Sequence, residues 1–151
     1  FYPTPVMALD DRIWNDVINV NLKAPLFLSR AAAANLAQTS GCIINIADIH
    51  ADRPLRNHSL YSISKAGLIM LTKALAKELG PAVRVNAISP GAILWPEDLD
   101  DETRNKILAR TTLKRPGPVE DITRAVCYLL DGANYTTGQV LVIDGGRTLY
   151  S

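Results

Sequence analysis

Two short apolar runs with a helical segment between them most constrain what this chain can become. Residues 42–47 (Cys-Ile-Ile-Asn-Ile-Ala) follow Gly41, and residues 83–88 precede Ser89-Pro90-Gly91. Neither run alternates cleanly between apolar and polar, which is the pattern of a strand covered on both faces in a parallel sheet. Between them Leu60, Ile63, Leu68, Leu71, Leu75 and Leu79 recur at helical spacing, and Gly80-Pro81 supplies a terminal glycine followed by a breaker. Strand, helix and strand make a β-α-β unit. A third run, residues 140–143, is introduced by Thr137-Gly138-Gln139 and closed by Asp144-Gly145-Gly146. The implied class is α/β, a parallel sheet flanked by helices, with residues 1–151 as one domain.

The remaining segments fit around that unit. Residues 1–8 read as a proline-punctuated loop, and the Asp10-Asp11 pair opens a helix over 11–38, an N-cap carboxylate accepting from the first-turn amides. Its apolar residues, among them Trp14, Val17, Leu22, Leu26 and Phe27, spread over more than one face, which suits packing on the sheet and against a partner subunit. Asn21 sits inside this helix, where its amide competes for backbone bonds; an exposed polar position is the ordinary explanation. Residues 92–118 form a long excursion with a short helix at 102–109, and such insertions are often lids. A further helix runs from Val119-Glu120-Asp121 to about residue 130.

Composition narrows the partners. Sixteen basic against 15 acidic residues, without long runs of either, give no electrostatic case for nucleic acid or an anionic membrane. No apolar run approaches the roughly 20 residues of a membrane span. The opening Phe1-Tyr2-Pro3-Thr4-Pro5 lacks an initiator Met and is not a signal peptide, so it reads as the middle of a longer chain. Cys42 and Cys127 fall in apolar segments and are expected as buried, reduced thiols, in keeping with a cytoplasmic location.

Chemistry concentrates between residues 48 and 65. Tyr61 and Lys65 are four apart on the 60–79 helix and share a face. A free phenol titrates near 10, and lowering it by about 3 units takes about 4 kcal/mol of preference for the phenolate. A neighbouring ammonium is expected to supply that shift. By itself the pair is usually a core-edge aromatic beside a solvated amine, so its flanks matter. Asp48 lies at the carboxyl end of the first strand, where parallel sheets bind ligands. Asp48, His50, Asp52 and His58 match no metal-site spacing, and no metal is expected there.

These motifs resemble those of the short-chain dehydrogenases and reductases. The resemblance covers essentially the whole chain and corresponds to the carboxyl-terminal part of a Rossmann-like, doubly wound domain. It implies that Asn21, Tyr61 and Lys65 are three members of that family's Asn-Ser-Tyr-Lys tetrad. The Ser is replaced: thirteen residues before Tyr61 stands Asp48. A carboxylate there repels the alkoxide that forms when a ketone is reduced, but it accepts from the N–H groups of a heterocycle whose C=N bond is reduced. An Asp at this place is similar to pteridine reductases, as is the Phe-Tyr-Pro-Thr-Pro opening.

The resemblance implies NADPH as cofactor and a dihydropterin or dihydrofolate as substrate, with Tyr61 as proton donor and Asp48 orienting the ring and tuning Tyr61, the two titrating as a coupled pair. Lys65 is implied to hold the nicotinamide ribose, with Pro90, Gly91 and Ile93 beside the carboxamide, while Asn21 holds a water on the proton path. Phe1 is implied to stack the pterin, with Leu94 and Trp95 as a wall over it. A homotetramer is implied as well. The glycine-rich phosphate loop of the family does not occur here, and about 90 residues of dinucleotide-binding half are expected outside this sequence. Two other readings stay open: a family member acting on a carbonyl or hydroxyl, and a non-catalytic fragment or cofactor-sensing relative.

Overall fold

A computed structural model describes residues 2–97 and 99–150. Three parallel strands, β1 (Cys42–Ile46), β2 (Arg84–Pro90) and β3 (Val140–Ile143), pair in the order β1-β2-β3. Cys42 stands opposite Arg84 and Ile46 opposite Ile88, while Ala87 pairs with Val140 and Pro90 with Ile143. The helices are α1 (Asp11–Ile18), α2 (Ala24–Gln38), α3 (Ser59–Leu79), α4 (Asp101–Ala109) and α5 (Val119–Cys127).

Neighbouring residues of one strand point to opposite faces, and the core divides accordingly. On one face Val83 and Val85 pack with Leu75 and Ala76 of α3, joined by Leu36 and Ile43. On the other, Ile88 packs with Ala125, Leu129 and Ala133, joined by Ile44 and Leu141. Helices therefore cover both faces, and the sheet is doubly wound as the apolar runs implied. The central strand carries most of this: Val85, Ala87 and Ile88 are fully enclosed.

Two buried asparagines tie the layers together through hydrogen bonds that the interior requires of them. Asn45 of β1 donates to Thr72 Oγ1 of α3 over 2.9 Å. Asn86 of β2 donates to the Thr136 carbonyl over 2.8 Å and accepts from the Gln139 amide over 3.0 Å, which fixes the entry to β3.

Several expectations need correcting. The 11–38 helix is interrupted by a π-helical turn at Asn19–Lys23, between α1 and α2, so Asn21 lies in an irregular turn. The last helix gives way to a second π-helical turn, Tyr128–Gly132, instead of running as α-helix to 130. β1 is not sealed on both faces among the described residues: Ile46, at its carboxyl end, is 46% exposed. β2 reaches Pro90, two residues beyond the apolar run. Helix α4 starts at Asp101 because Asp100 caps it, accepting from the Thr103 amide over 2.7 Å. Gly80 ends α3 in an extended conformation, without the left-handed turn a C-cap glycine usually takes. Cys127 is exposed and Cys42 only half-buried. No helix among the described residues is long and apolar enough to cross a membrane.

Candidate active site

The chain leaves β1 through Ala47 and Asp48, and Asp48 caps the next turn, Ile49–Ala51, by accepting from the His50 amide at Oδ1 over 2.8 Å. That bond aims the second carboxylate oxygen toward α3, where Oδ2 accepts the Tyr61 hydroxyl over 2.7 Å. The N-terminal segment anchors the start of the helix: Thr4 bridges to His58, its amide donates to the Asn57 carbonyl over 2.6 Å, and Ser59 Oγ donates to the Thr4 carbonyl over 3.3 Å. Tyr61 is thereby fixed in the first turn of α3.

One turn on, Lys65 donates from Nζ to the carbonyl of Ile46 over 2.9 Å, at the carboxyl end of β1. Its nitrogen lies 5.7 Å from the centre of the Tyr61 ring. Ser64, fully buried between the two, donates to the Tyr61 carbonyl over 2.7 Å and accepts from Asn21 Nδ2 over 3.1 Å. The π-helical turn thus joins the site through Ser64. Gly67 lets this turn approach, since a Cβ there would lie 3.0 Å from Leu22 Cδ2. Tyr2, Asp16, Val17, Val20, Asn21, Tyr61 and Lys65 line one open cavity of about 270 Å³.

The electrostatics reverse one expectation. Burial, then the hydrogen bond to Asp48 and its negative charge, push the Tyr61 phenol well above its ordinary value of 10.0. The Lys65 amine donates to the Ile46 carbonyl, while the phenol hydroxyl donates to the carboxylate. Burial also lowers the pKa of Lys65 itself, with the charge of Asp48 opposing that shift. In this state Tyr61 is a held proton, not a ready phenolate.

Other predicted positions spread out. Pro90 ends β2, and the Gly91 amide donates to the Ile143 carbonyl over 2.9 Å. A Cβ on Gly91 would lie 2.7 Å from Asp144 Cα, so the glycine is required by the chain's own packing. Ile93 lines a separate cavity of about 440 Å³ with Thr112, Leu113, Val142 and Gly145, away from Tyr61. Leu94 is 77% exposed and Trp95 half-buried, and neither lines the cavity at Tyr61. The role given to Phe1 lies outside the described residues. His50 and His58 direct Nδ1 to the carbonyls of Arg53 and Arg56, over 2.8 and 2.9 Å.

Tyr2, Asp16 and Ser64 were missed. Ser64 was findable, three residues after Tyr61 on the same helix; the Tyr2 hydroxyl reaching Asp16 Oδ2 over 2.7 Å had no sequence signal.

The doubly wound sheet thus places a carboxylate, a phenol and an amine beyond the carboxyl end of its first strand, where parallel sheets bind ligands. Residues 2–148 match the family described as enoyl-(acyl carrier protein) reductase, and the chain belongs to the short-chain dehydrogenases and reductases. It is 38% identical over 135 residues to L-xylulose reductase of Caenorhabditis elegans, covering 84% of this chain and 54% of that protein. It is 38% identical over 146 residues to a 3-oxoacyl-(acyl-carrier-protein) reductase of Chlamydia trachomatis, covering 93% and 59% respectively. A solved 4-hydroxyisoleucine dehydrogenase complexed with NADH superposes with a TM-score of 0.91 at 37% identity, covering 98% of this chain and 64% of that one. The chain therefore spans a little over half the length of the curated relatives it matches.

Lys65 offers the test of whether these residues fit the family's nicotinamide cofactor. An ammonium has three N–H donors, and one is directed to Ile46. The other two can serve a vicinal diol such as that of the nicotinamide ribose, so the residues fit.

Proposed function

We propose that the full-length protein is an NADPH-linked reductase whose hydride acceptor is a C=N bond in a flat heterocycle bearing N–H groups, a dihydropterin or dihydrofolate. One observation carries this reading: a carboxylate, Asp48, occupies the position next to the Tyr61 hydroxyl. A ketone that gains a hydride becomes an alkoxide, and a carboxylate a few ångströms away raises its energy. A ring nitrogen ends instead as a neutral N–H, and the neighbouring ring N–H groups need an acceptor, which Asp48 is.

The bound nicotinamide supplies a hydride to a ring carbon. Tyr61 would give its proton to the adjacent nitrogen, so that hydride and proton together add two hydrogens and two electrons across the C=N bond and the nitrogen ends as a neutral N–H. Tyr61 is protonated at neutral pH, as a donor in the reducing direction must be, although its raised pKa makes that proton harder to release. Lys65, braced on Ile46, holds the ribose and places a positive charge close to the phenolate left behind. Asn21 and Ser64 hold the backbone from which Tyr61 projects.

The second reading is a reductase or dehydrogenase of carbonyls and hydroxyls. It is favoured by the relatives, named as reductases of a sugar and of a 3-oxoacyl carrier protein, and as a hydroxyamino-acid dehydrogenase. A panel of dihydropterins against ketones and 3-oxoacyl thioesters, followed by NADPH oxidation, separates the two. Dihydropterin turnover supports the first, and turnover of carbonyls alone supports the second.

We also infer that the helical layer assembles with further copies of the chain. Trp14, Phe27 and Met70 are 48%, 51% and 63% exposed on α1, α2 and α3. A tetramer by light scattering supports this, and a monomer refutes it.

A further inference from the structure

Behind the turn that Asp48 caps lies a cavity of about 310 Å³ lined by Ile49, His50, Arg53, Pro54, Leu55, Arg110, Arg147, Thr148 and Tyr150. Three of these side chains are guanidinium groups, and none is a carboxylate. An adjoining cavity repeats the pattern, with Arg110 and Arg147 joined by Lys106 and again no acidic residue. The chain as a whole is nearly balanced, 16 basic to 15 acidic residues, so this clustering is local.

The chain builds the cluster from three distant segments. Arg53 follows the turn behind Asp48, Arg110 ends α4, and Arg147 begins a short 3-10 turn, Arg147–Leu149. Asp144 holds that last turn, accepting from the Gly146 amide and from the amide and hydroxyl of Thr148 over 2.7 to 2.8 Å. Burial opposes the charge on Asp144, but these bonds outweigh it and keep the carboxyl below its ordinary range. Its charge is thereby committed to the turn. Arg147 Nη1 donates to the Arg110 carbonyl over 3.4 Å, which draws the two arginine positions together.

Counter-charges are few. Among the described residues neither Arg110 nor Arg147 has a carboxylate partner, and Arg53 has only the exposed Asp52, with Nε 3.7 Å from Oδ2. Lys106 pairs with Glu102 along α4. Cations gathered without counter-ions repel one another, and an oxyanion received by planar guanidinium forks relieves that repulsion while forming strong bonds. Ile49, Pro54, Leu55 and the Tyr150 ring line the same cavity and provide an apolar surface beside the charged one.

We propose that this cavity binds the oxyanion of a carboxylate- or phosphate-bearing small molecule, with its organic stem on Ile49, Leu55 and Tyr150. The assignment concerns binding alone and stands whether or not the dihydropterin reading holds. The probes are inorganic phosphate and glutarate, titrated calorimetrically into the full-length protein and into Arg110→Gln, Arg147→Gln, the double variant and, as a remote control, Arg12→Gln.

Saturable binding of either probe is expected, with a Kd of about 1 mM or tighter, weakened about tenfold or more in the double variant and unchanged in Arg12→Gln. Binding of phosphate alone assigns a phosphate ligand, and binding of glutarate alone a carboxylate one. Unchanged melting curves show that the variants fold, and Arg110→Lys with Arg147→Lys restores charge should folding of the Gln variants fail. Absence of saturable binding by both probes, or equal binding by the double variant and the wild type, overturns the proposal.

Discussion

The Tyr61 hydroxyl donates to Asp48 Oδ2 over 2.7 Å, while the Lys65 amine, one helical turn away, directs one of its three donors to the carbonyl of Ile46. Burial and the carboxylate together hold the phenol's proton more tightly than water does. A pH dependence follows. The folded chain retains the Tyr61 proton above the ordinary phenol value of 10.0, where the unfolded chain releases it. The stability this contributes is fully present below that pH and is lost as the pH rises through the folded value. Asp48→Asn removes the charge and should make the alkaline fall in stability shallower, with tyrosinate absorbance appearing at lower pH. Identical alkaline curves for the variant and the wild type contradict the assignment.

Tyr61→Phe keeps the ring and removes the proton. Turnover is expected to fall about 10²- to 10⁴-fold, the usual worth of a positioned general acid. NADPH affinity, measured by fluorescence titration, should change little, because Lys65 and the end of β1 remain in place. A variant with near-normal turnover excludes Tyr61 as the proton donor.

Asn21 Nδ2 donates to the Ser64 hydroxyl over 3.1 Å. Asn21→Ala removes its bond to the Ser64 hydroxyl and is expected to cost about 0.5 to 1.5 kcal/mol of stability in denaturant unfolding. If the π-helical turn positions Tyr61, kcat should fall with KM nearly constant. A stability loss with unchanged kcat assigns Asn21 to folding alone.

The layer architecture was legible because strands covered by helices need apolar runs, and the helix between them needs leucines on one stripe. The pairing of Asp48 with Tyr61 was also within reach, since a strand end and the first turn of the following helix are neighbours in any β-α-β unit. That the two groups tune one another was legible too, but the direction was not. Whether Lys65 or Asp48 governs the phenol depends on which atom the lysine amine reaches, and the competing acceptor is a backbone carbonyl that has no sequence signature. The π-helical turn at Asn21 left an ambiguous trace: a one-residue change of register rotates the apolar stripe by roughly 100°, which in sequence looks like a single helix apolar on more than one face. The Arg53, Arg110 and Arg147 cluster comes from segments scattered over most of the chain, each ordinary by itself.

Gly91 separates the close approach of two strand ends from any role toward a cofactor. Gly91→Ala places a Cβ 2.7 Å from Asp144 Cα, and the backbones must shift. A loss of about 1 to 3 kcal/mol is expected from such overpacking, read from thermal or denaturant unfolding without any cofactor present. Unchanged stability shows that the turn at Asp144 yields freely.

The central claim is that the carboxylate at position 48 selects a nitrogen heterocycle over a carbonyl. The direct measurement compares NADPH oxidation by wild type and Asp48→Ser with a dihydropterin and with a small ketone. The wild type should turn over the dihydropterin, and Asp48→Ser should lose that activity while gaining on the ketone. Dihydropterin turnover that survives Asp48→Ser unchanged, or a wild type active only on the ketone, contradicts it.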